Sequence, residues 1–156
     1  MKKNYLTLFF ALLVCQLAGV FGGLFNLKAL NDWYPVLTKP SFNPPSWLFG
    51  PVWVSLFVLM GIALYLILIN KSKYKQFALF VFAIQWILNV FWSMFFFYLQ
   101  NPLAAFIEII CLFVMILVTM FYFYKINKTA MYLLIPYIVW VAFASILNFS
   151  IWFLNK

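Results

Sequence analysis

The chain is 156 residues long, 69% hydrophobic and only 8% charged, with a formal net charge of +8. Soluble domains carry about 25% charged residues, so this composition excludes a soluble globular enzyme and defines an integral membrane protein, short enough to be one domain over residues 1–156. The positive charge does not point to nucleic acid, because a nucleic-acid face needs basic residues clustered on a folded surface, and the ten lysines here fall between apolar runs.

Runs of about 20 apolar residues span a hydrocarbon core of roughly 30 Å. Five such runs predict transmembrane helices at 5–25, 46–69, 76–99, 102–124 and 129–154. A membrane barrel needs alternating segments of about 10 residues instead. The expected fold is an all-α, five-helix membrane bundle with a long lid loop, 26–45, between helices 1 and 2.

Helix 1 follows Lys2 and Lys3 and carries a faint cleavage pattern at Ala18-Gly19-Val20. Its apolar stretch of about 21 residues exceeds the roughly 15 of a signal-peptide core, so it is expected to stay as a helix. Bulky Val14 speaks against a lipid-modified Cys15. Cys15 and Cys111 lie inside predicted helices and read as small apolar fillers, not as a disulfide or metal pair. Gly19 and Gly23 form a single GxxxG, a weak packing signal.

The next stretch, WYPVLTKPSFNPPSWLFGPVW at 33–53, holds five of the seven prolines and three of the seven tryptophans. Its backbone is stiff and its side chains are large, flat and amphipathic. Bundle connections usually run about 2 to 8 residues, so a loop of about 20 suggests a task, and a lid fits that task. Within it, 27–32 predicts a short helix with Lys28 and Asp32 one turn apart, and Ser46 is expected to cap helix 2. Pro51 in helix 2 and Pro136 in helix 5 each remove one backbone hydrogen bond. They either kink the helices and open space, or are simply tolerated, as proline in membrane helices often is.

On helix 3, Gln85, Asn89, Trp92 and Phe96 fall within about 60° of one another at 100° per residue. Asn101-Pro102 reads as a cap followed by a first-turn proline, closing a tight hairpin into helix 4. Glu108 lies about two turns into helix 4. A carboxylate at mid-helix in a membrane costs roughly 2.5 to 3.5 kcal/mol to insert, so Glu108 is either a functional, bundle-facing group or an interfacial carboxylate bonded to a hydroxyl or water. On helix 5, Trp140, Ala144 and Asn148 share one track, with Tyr137 a turn earlier. Amides among Trp and Phe describe an apolar cavity with a few orienting polar groups; they describe ties between helices equally well.

Seven lysines (Lys2, Lys3, Lys71, Lys73, Lys75, Lys125, Lys128) fall on one predicted side and three (Lys28, Lys39, Lys156) on the other. The positive-inside rule then places the amino terminus in the cytoplasm and the carboxyl terminus and lid loop outside. The chain has no histidine and no arginine. Metal sites, histidine acid/base chemistry and nucleophilic triads are therefore unsupported, and no cofactor is expected.

The 33–53 stretch resembles the signature of the translocator protein family, TspO/MBR, the tryptophan-rich sensory proteins related to the peripheral benzodiazepine receptor. Gln85, Asn89 and Phe95-Phe96-Phe97 on helix 3, the acid Glu108 on helix 4, and LLIPYIVWVAFASILNFSIW at 133–152 agree with it, so the likeness covers essentially the whole chain. The resemblance implies a homodimer in a bacterial cell membrane, with a pocket for porphyrins (protoporphyrin IX, haem) or other hydrophobic small molecules. Carried over by position, Trp53, Asn89, Trp140 and Ala144 line that pocket, and Trp33, Tyr34 and Pro44 belong to its lid. Phe57, Gln85, Trp92 and Asn148 complete the candidate ligand contacts. Light- and oxygen-dependent porphyrin degradation, attributed to some bacterial members, would use Trp53 and Trp140. In this picture a flat macrocycle stacks on those two tryptophans, Asn89 and Asn148 orient its polar edges, and its propionates reach Lys28 or Lys39.

One departure concerns sterols. The cholesterol-associated pattern of animal members needs a tyrosine and a basic residue where this chain reads Phe149 and has no lysine before Lys156, so sterol is not the expected ligand. Transport of porphyrin or another small hydrophobic molecule is the alternative function, although the sequence lacks an inverted repeat and has one membrane carboxylate to couple ions. A purely structural packing role is the third.

Overall fold

The computed structural model of the chain describes residues 4–156. Lys2 and Lys3, on which part of the orientation argument rests, lie outside the described residues. Long apolar runs become helices because lipid offers no partner for a free backbone amide or carbonyl. The elements are α1 (Tyr5–Asn26), α2 (Ala29–Asp32), a 3-10 turn (Tyr34–Val36), α3 (Ser46–Leu68), α4 (Lys75–Ser93) running into a π turn (Met94–Tyr98), α5 (Pro102–Ile126), α6 (Lys128–Tyr132) and α7 (Ile135–Leu154). Five of the resulting segments are long and apolar enough to cross a membrane. This is a multi-pass membrane protein.

Asparagines start three of the helices. Asn4, Asn101 and Asn127 each accept a hydrogen bond from the backbone N–H three residues on, satisfying a donor the helix leaves free. The expected cap at Ser46 does not form: Pro45 holds the cap position, Ser46 is the first helical residue, and no side chain caps α3. Helix α3 runs through Pro51 without a break, and the Ser55 hydroxyl donates to the Pro51 carbonyl at 2.8 Å. The fifth span is divided: α6 ends at Tyr132, the chain turns at Leu133 and Leu134, and Pro136 sits in the first turn of α7. A first-turn proline has no hydrogen bond to lose, so Pro136, read from the sequence as lying inside a helix and either kinking it or being tolerated there, instead starts one.

The helices form a ring. Helix α1 packs on α3 and α4, α4 on α5, and α5 on α7; α6 and α7 close the ring against α3. The α1–α3 contact depends on Gly61, where an added Cβ would lie 2.9 Å from the Leu12 Cα. Lys73 and Lys125 lie over the Tyr74 ring and Lys128 over Tyr124 at one end of the bundle, the lysine and aromatic edge expected at a membrane surface.

The loop crosses the other end. Trp33 packs edge-on against Phe96 at 5.6 Å and Tyr34 against Phe97 at 5.8 Å. The Tyr34 hydroxyl donates to Asn43 Oδ1 at 3.2 Å. Asn155, just after α7, pairs with both the N–H and the carbonyl of Thr38 at 2.9 Å. Burial raises the Tyr34 phenol above its ordinary value of 10.0, so it remains a neutral donor at physiological pH. Lys39 Nζ donates to the Pro35 and Leu37 carbonyls and lies over the Tyr34 ring. The loop is thereby fastened to α4 and to the end of α7.

Gly61→Val should lower stability by about 1–3 kcal/mol through overpacking. Gly23→Val should change it little, because a Cβ at Gly23 has nothing within 4 Å. Thermal unfolding of the two variants in detergent checks this; equal midpoints would show that Gly61 is not a close-packing point.

Candidate functional site

Beneath the loop, α1, α3, α4 and α7 enclose a cavity of about 640 Å³. Its walls are unequal. Helix α1 contributes Ala18, Gly19, Gly22 and Gly23, while α3 contributes Phe49, Trp53 and Phe57 and α7 contributes Trp140. The small residues of α1 let rings of the facing helices come close, an added Cβ at Gly19 lying 2.9 Å from the Phe57 ring, while Gln16, Val20 and Asn26 give the same wall its side chains. At Gly23 and Gly50 an added Cβ would meet nothing within 4 Å. Val20 of α1 and Trp47, Gly50 and Val54 of α3 line the cavity and are themselves exposed.

The rings hold fixed attitudes. Trp53 stacks on Phe57 at 5.5 Å and 26° and meets Tyr137 edge-on at 6.3 Å. Trp140 packs edge-on to Phe49 at 5.9 Å and lies tilted against Phe143 at 5.5 Å. Trp92 stacks on Phe96 at 5.3 Å. One face of the Trp53 indole is thus already covered by Phe57.

Two chains of hydrogen bonds tie the helices around the cavity. Asn89 Nδ2 on α4 donates to the Tyr137 hydroxyl on α7 at 2.9 Å, that hydroxyl donates to Gln85 Oε1 at 3.0 Å, and Gln85 Nε2 reaches Met60 Sδ on α3 at 3.7 Å. Higher up, Trp92 Nε1 donates to Asn148 Oδ1 at 3.0 Å, and Asn148 Nδ2 donates to the Pro102 carbonyl at 2.7 Å. Asn89 and Asn148 line the cavity and also tie helices together.

Of the candidate residues, Tyr34, Trp53, Phe57, Asn89, Trp92, Trp140, Ala144 and Asn148 line the cavity. Trp33, Pro44 and Gln85 are not among the lining residues. Gln85 is 1% exposed and spent on Tyr137 and Met60; Trp33 faces Phe96; Pro44 belongs to the loop, where its carbonyl accepts from Asn43. Sequence reasoning missed Gln16, Asn26 and Ser93, which line the wall. Gln16 and Ser93 are lone polar residues in apolar runs, the same signal that marked Asn89. Asn26, at the end of its run, reads as a helix boundary.

Glu108 is 7% exposed, and neither carboxylate oxygen has a hydrogen-bond partner. It faces the bundle interior but is not part of the cavity wall. The interfacial reading, with a hydroxyl or water bonded to it, finds no hydroxyl partner here. Cys15 is buried and Cys111 exposed on the outer surface, both as free thiols.

Five apolar helices, a proline-stiffened loop and an aromatic cavity with buried amides define a membrane protein built around an internal ligand-sized chamber. Known proteins narrow this class. The TspO/MBR family pattern matches residues 11–153. Similar proteins include the tryptophan-rich protein TspO of Chlorobaculum tepidum, 44% identical over 99% of both chains. That of Archaeoglobus fulgidus is 41% identical over 97% of this chain and 99% of its own. The sheep translocator protein is 35% identical over 77% of this chain and 73% of its own. The chain belongs to the TspO/MBR family.

Tyr137→Phe removes the hydroxyl that both accepts from Asn89 and donates to Gln85. Leaving two buried amides short of a partner costs about 1–3 kcal/mol for each group, so the thermal midpoint should fall clearly, and more than for the lipid-facing Tyr132→Phe. Equal midpoints would mean the hydroxyl does not hold α4 to α7.

Proposed function

We propose that this protein is a membrane receptor for porphyrins and related flat hydrophobic molecules, held in the chamber under the loop. The observation that carries the reading is the placing of Trp53 and Trp140, on the adjoining helices α3 and α7, in the wall of one cavity of about 640 Å³, within the roughly 300–1,000 Å³ of small-molecule sites. The family assignment supports it. A macrocycle stacks on the open face of Trp53 and against Trp140, each aromatic contact worth about 0.5–1.5 kcal/mol beyond the area buried. The loop excludes water from one end.

Light- and oxygen-dependent loss of the porphyrin is a side reaction this arrangement favours. An excited macrocycle passes its energy to dioxygen, the activated oxygen attacks the macrocycle, and the two indoles are the oxidisable side chains beside it. Anionic ends of the ligand are not met by Lys39, whose ammonium is bonded to loop carbonyls.

Titration with protoporphyrin IX in the dark, read by tryptophan quenching, should saturate in the micromolar range for the wild type. Trp53→Phe and Trp140→Phe should each weaken it by about three- to tenfold, the equivalent of one aromatic contact, at unchanged thermal stability. Linear quenching, identical in all three, would show the porphyrin merely dissolved in the micelle.

A further inference from the structure

Charge is distributed unevenly between the two ends of the bundle. Lys71, Lys73, Lys75, Lys125 and Lys128 sit at the end where α3 and α5 finish and α4 and α6 begin. The chain has two acidic side chains, and both lie elsewhere. Asp32 ends α2, which packs on α1 and the π turn at the loop end. Glu108 is buried in α5, about 25 Å along that helix from Lys125 at 1.5 Å per residue. Among the described residues, no acidic side chain is available to these five lysines.

Lys75 is committed within the protein, its ammonium donating to the Leu68 carbonyl at the end of α3. Lys73 and Lys125 form no such bond among the described residues. Both are exposed, one on the link before α4 and the other in the last turn of α5, yet their ammonium groups converge on the Tyr74 ring, 5.2 and 5.4 Å from its centroid. Lys125 also lies over Phe121 at 4.6 Å. A ring face attracts a cation only weakly, and the carbonyl end of α5 offers about half a charge. Neither cancels two like charges brought to one side chain.

An apolar strip adjoins the charged edge. Tyr74 and Phe77 pack on Tyr122 of α5 at 6.4 and 4.6 Å, and Phe77 meets Phe80 at 6.2 Å. Phe77, Phe80 and Phe121 are exposed and do not line the cavity.

We infer that Lys73, Tyr74 and Lys125 form a docking surface for an anionic membrane lipid, whose phosphate supplies the countercharge and whose acyl chain lies along Phe77 and Phe121. Basic groups at the edge of a membrane bundle attract anionic headgroups. The adjoining strip favours a lipid over a free anion, because it gives the chain an apolar surface that inorganic phosphate does not use. This surface lies at the end of the bundle away from the loop, so the inference stands whether or not the cavity holds a porphyrin.

Native mass spectrometry of the detergent-purified chain, titrated with phosphatidylglycerol and separately with phosphatidylcholine, tests it. The wild type should bind phosphatidylglycerol about twentyfold more tightly, two lysines at about fivefold each. Lys73→Gln and Lys125→Gln should each weaken phosphatidylglycerol about fivefold and change phosphatidylcholine little. Lys156→Gln removes the same charge from a lysine that lies over Phe153 at the loop end, and should change neither. Equal affinity for the two lipids, or equal losses from Lys156→Gln and Lys125→Gln, would show that net charge acts without a site and overturn the inference. Glycerophosphoglycerol, the same headgroup without chains, and inorganic phosphate should not displace the lipid at matched concentration. Displacement by either would reveal a free-anion site and overturn the lipid assignment.

Discussion

The structure depends on the rule that, in lipid, a polar group must find its partner inside the protein. The Tyr137 hydroxyl is where that rule acts most strongly. Tyr137 is 1% exposed, accepts from Asn89 on α4 and donates to Gln85 one turn below it. The second tie, Trp92 to Asn148 to the Pro102 carbonyl, joins α4, α7 and the start of α5. Helix α3 joins the ring through Gln85 Nε2 on Met60 Sδ, Gln16 Nε2 on the Val54 carbonyl, and the close packing of Gly61 on Leu12 and of Phe57 at Gly19.

The loop completes the enclosure. Its prolines limit the conformations it can lose on folding, and its fastenings reach two separate elements: Trp33 and Tyr34 to the phenylalanines of the π turn, and Thr38 to Asn155 beyond α7. The π turn matters here. The i→i+5 bond from Leu99 N–H to the Met94 carbonyl gives the end of α4 an extra residue, and both Phe96 and Phe97 then face the loop and the cavity. The hairpin that follows turns through Gln100 at φ 51°, in the left-handed region that a non-glycine residue adopts only under constraint.

Much of this was legible in the amino-acid order. Apolar run length fixed the five spans to within two residues, because lipid thickness is a hard constraint. The 33–53 stretch pointed to the loop, and the common face of Gln85, Asn89, Trp92 and Phe96 pointed to a cavity wall that the last three line while Gln85 is bonded to Tyr137 and Met60. Other features depend on information that single residues do not carry. The π turn has no residue signature in MFFFY. Ser46 lost its capping role to the geometry of Pro45. The turn at Leu133 and Leu134 lies in an unbroken apolar run, with Pro136 as its one sign. Whether an amide ties helices depends on which partners lie within hydrogen-bond reach: both ends of Asn148 are bonded, whereas Asn89 is bonded through Nδ2 alone. The small residues of the α1 wall were visible as glycines, but their spacing reads equally as helix packing.

On the proposed function, a porphyrin resides in the aromatic chamber and not on the lipid-facing surface. Illuminating the protein with bound protoporphyrin IX under oxygen, then mapping oxidised residues by mass spectrometry, tests this at single-residue level. Early oxidation should fall on the cavity-lining tryptophans, Trp53 and Trp140 first among them, with Trp86 and Trp152, which do not line the chamber, oxidised much later. Oxidation spread evenly over all four, or concentrated on Trp86 and Trp152, would place the porphyrin on the outer surface and contradict the account.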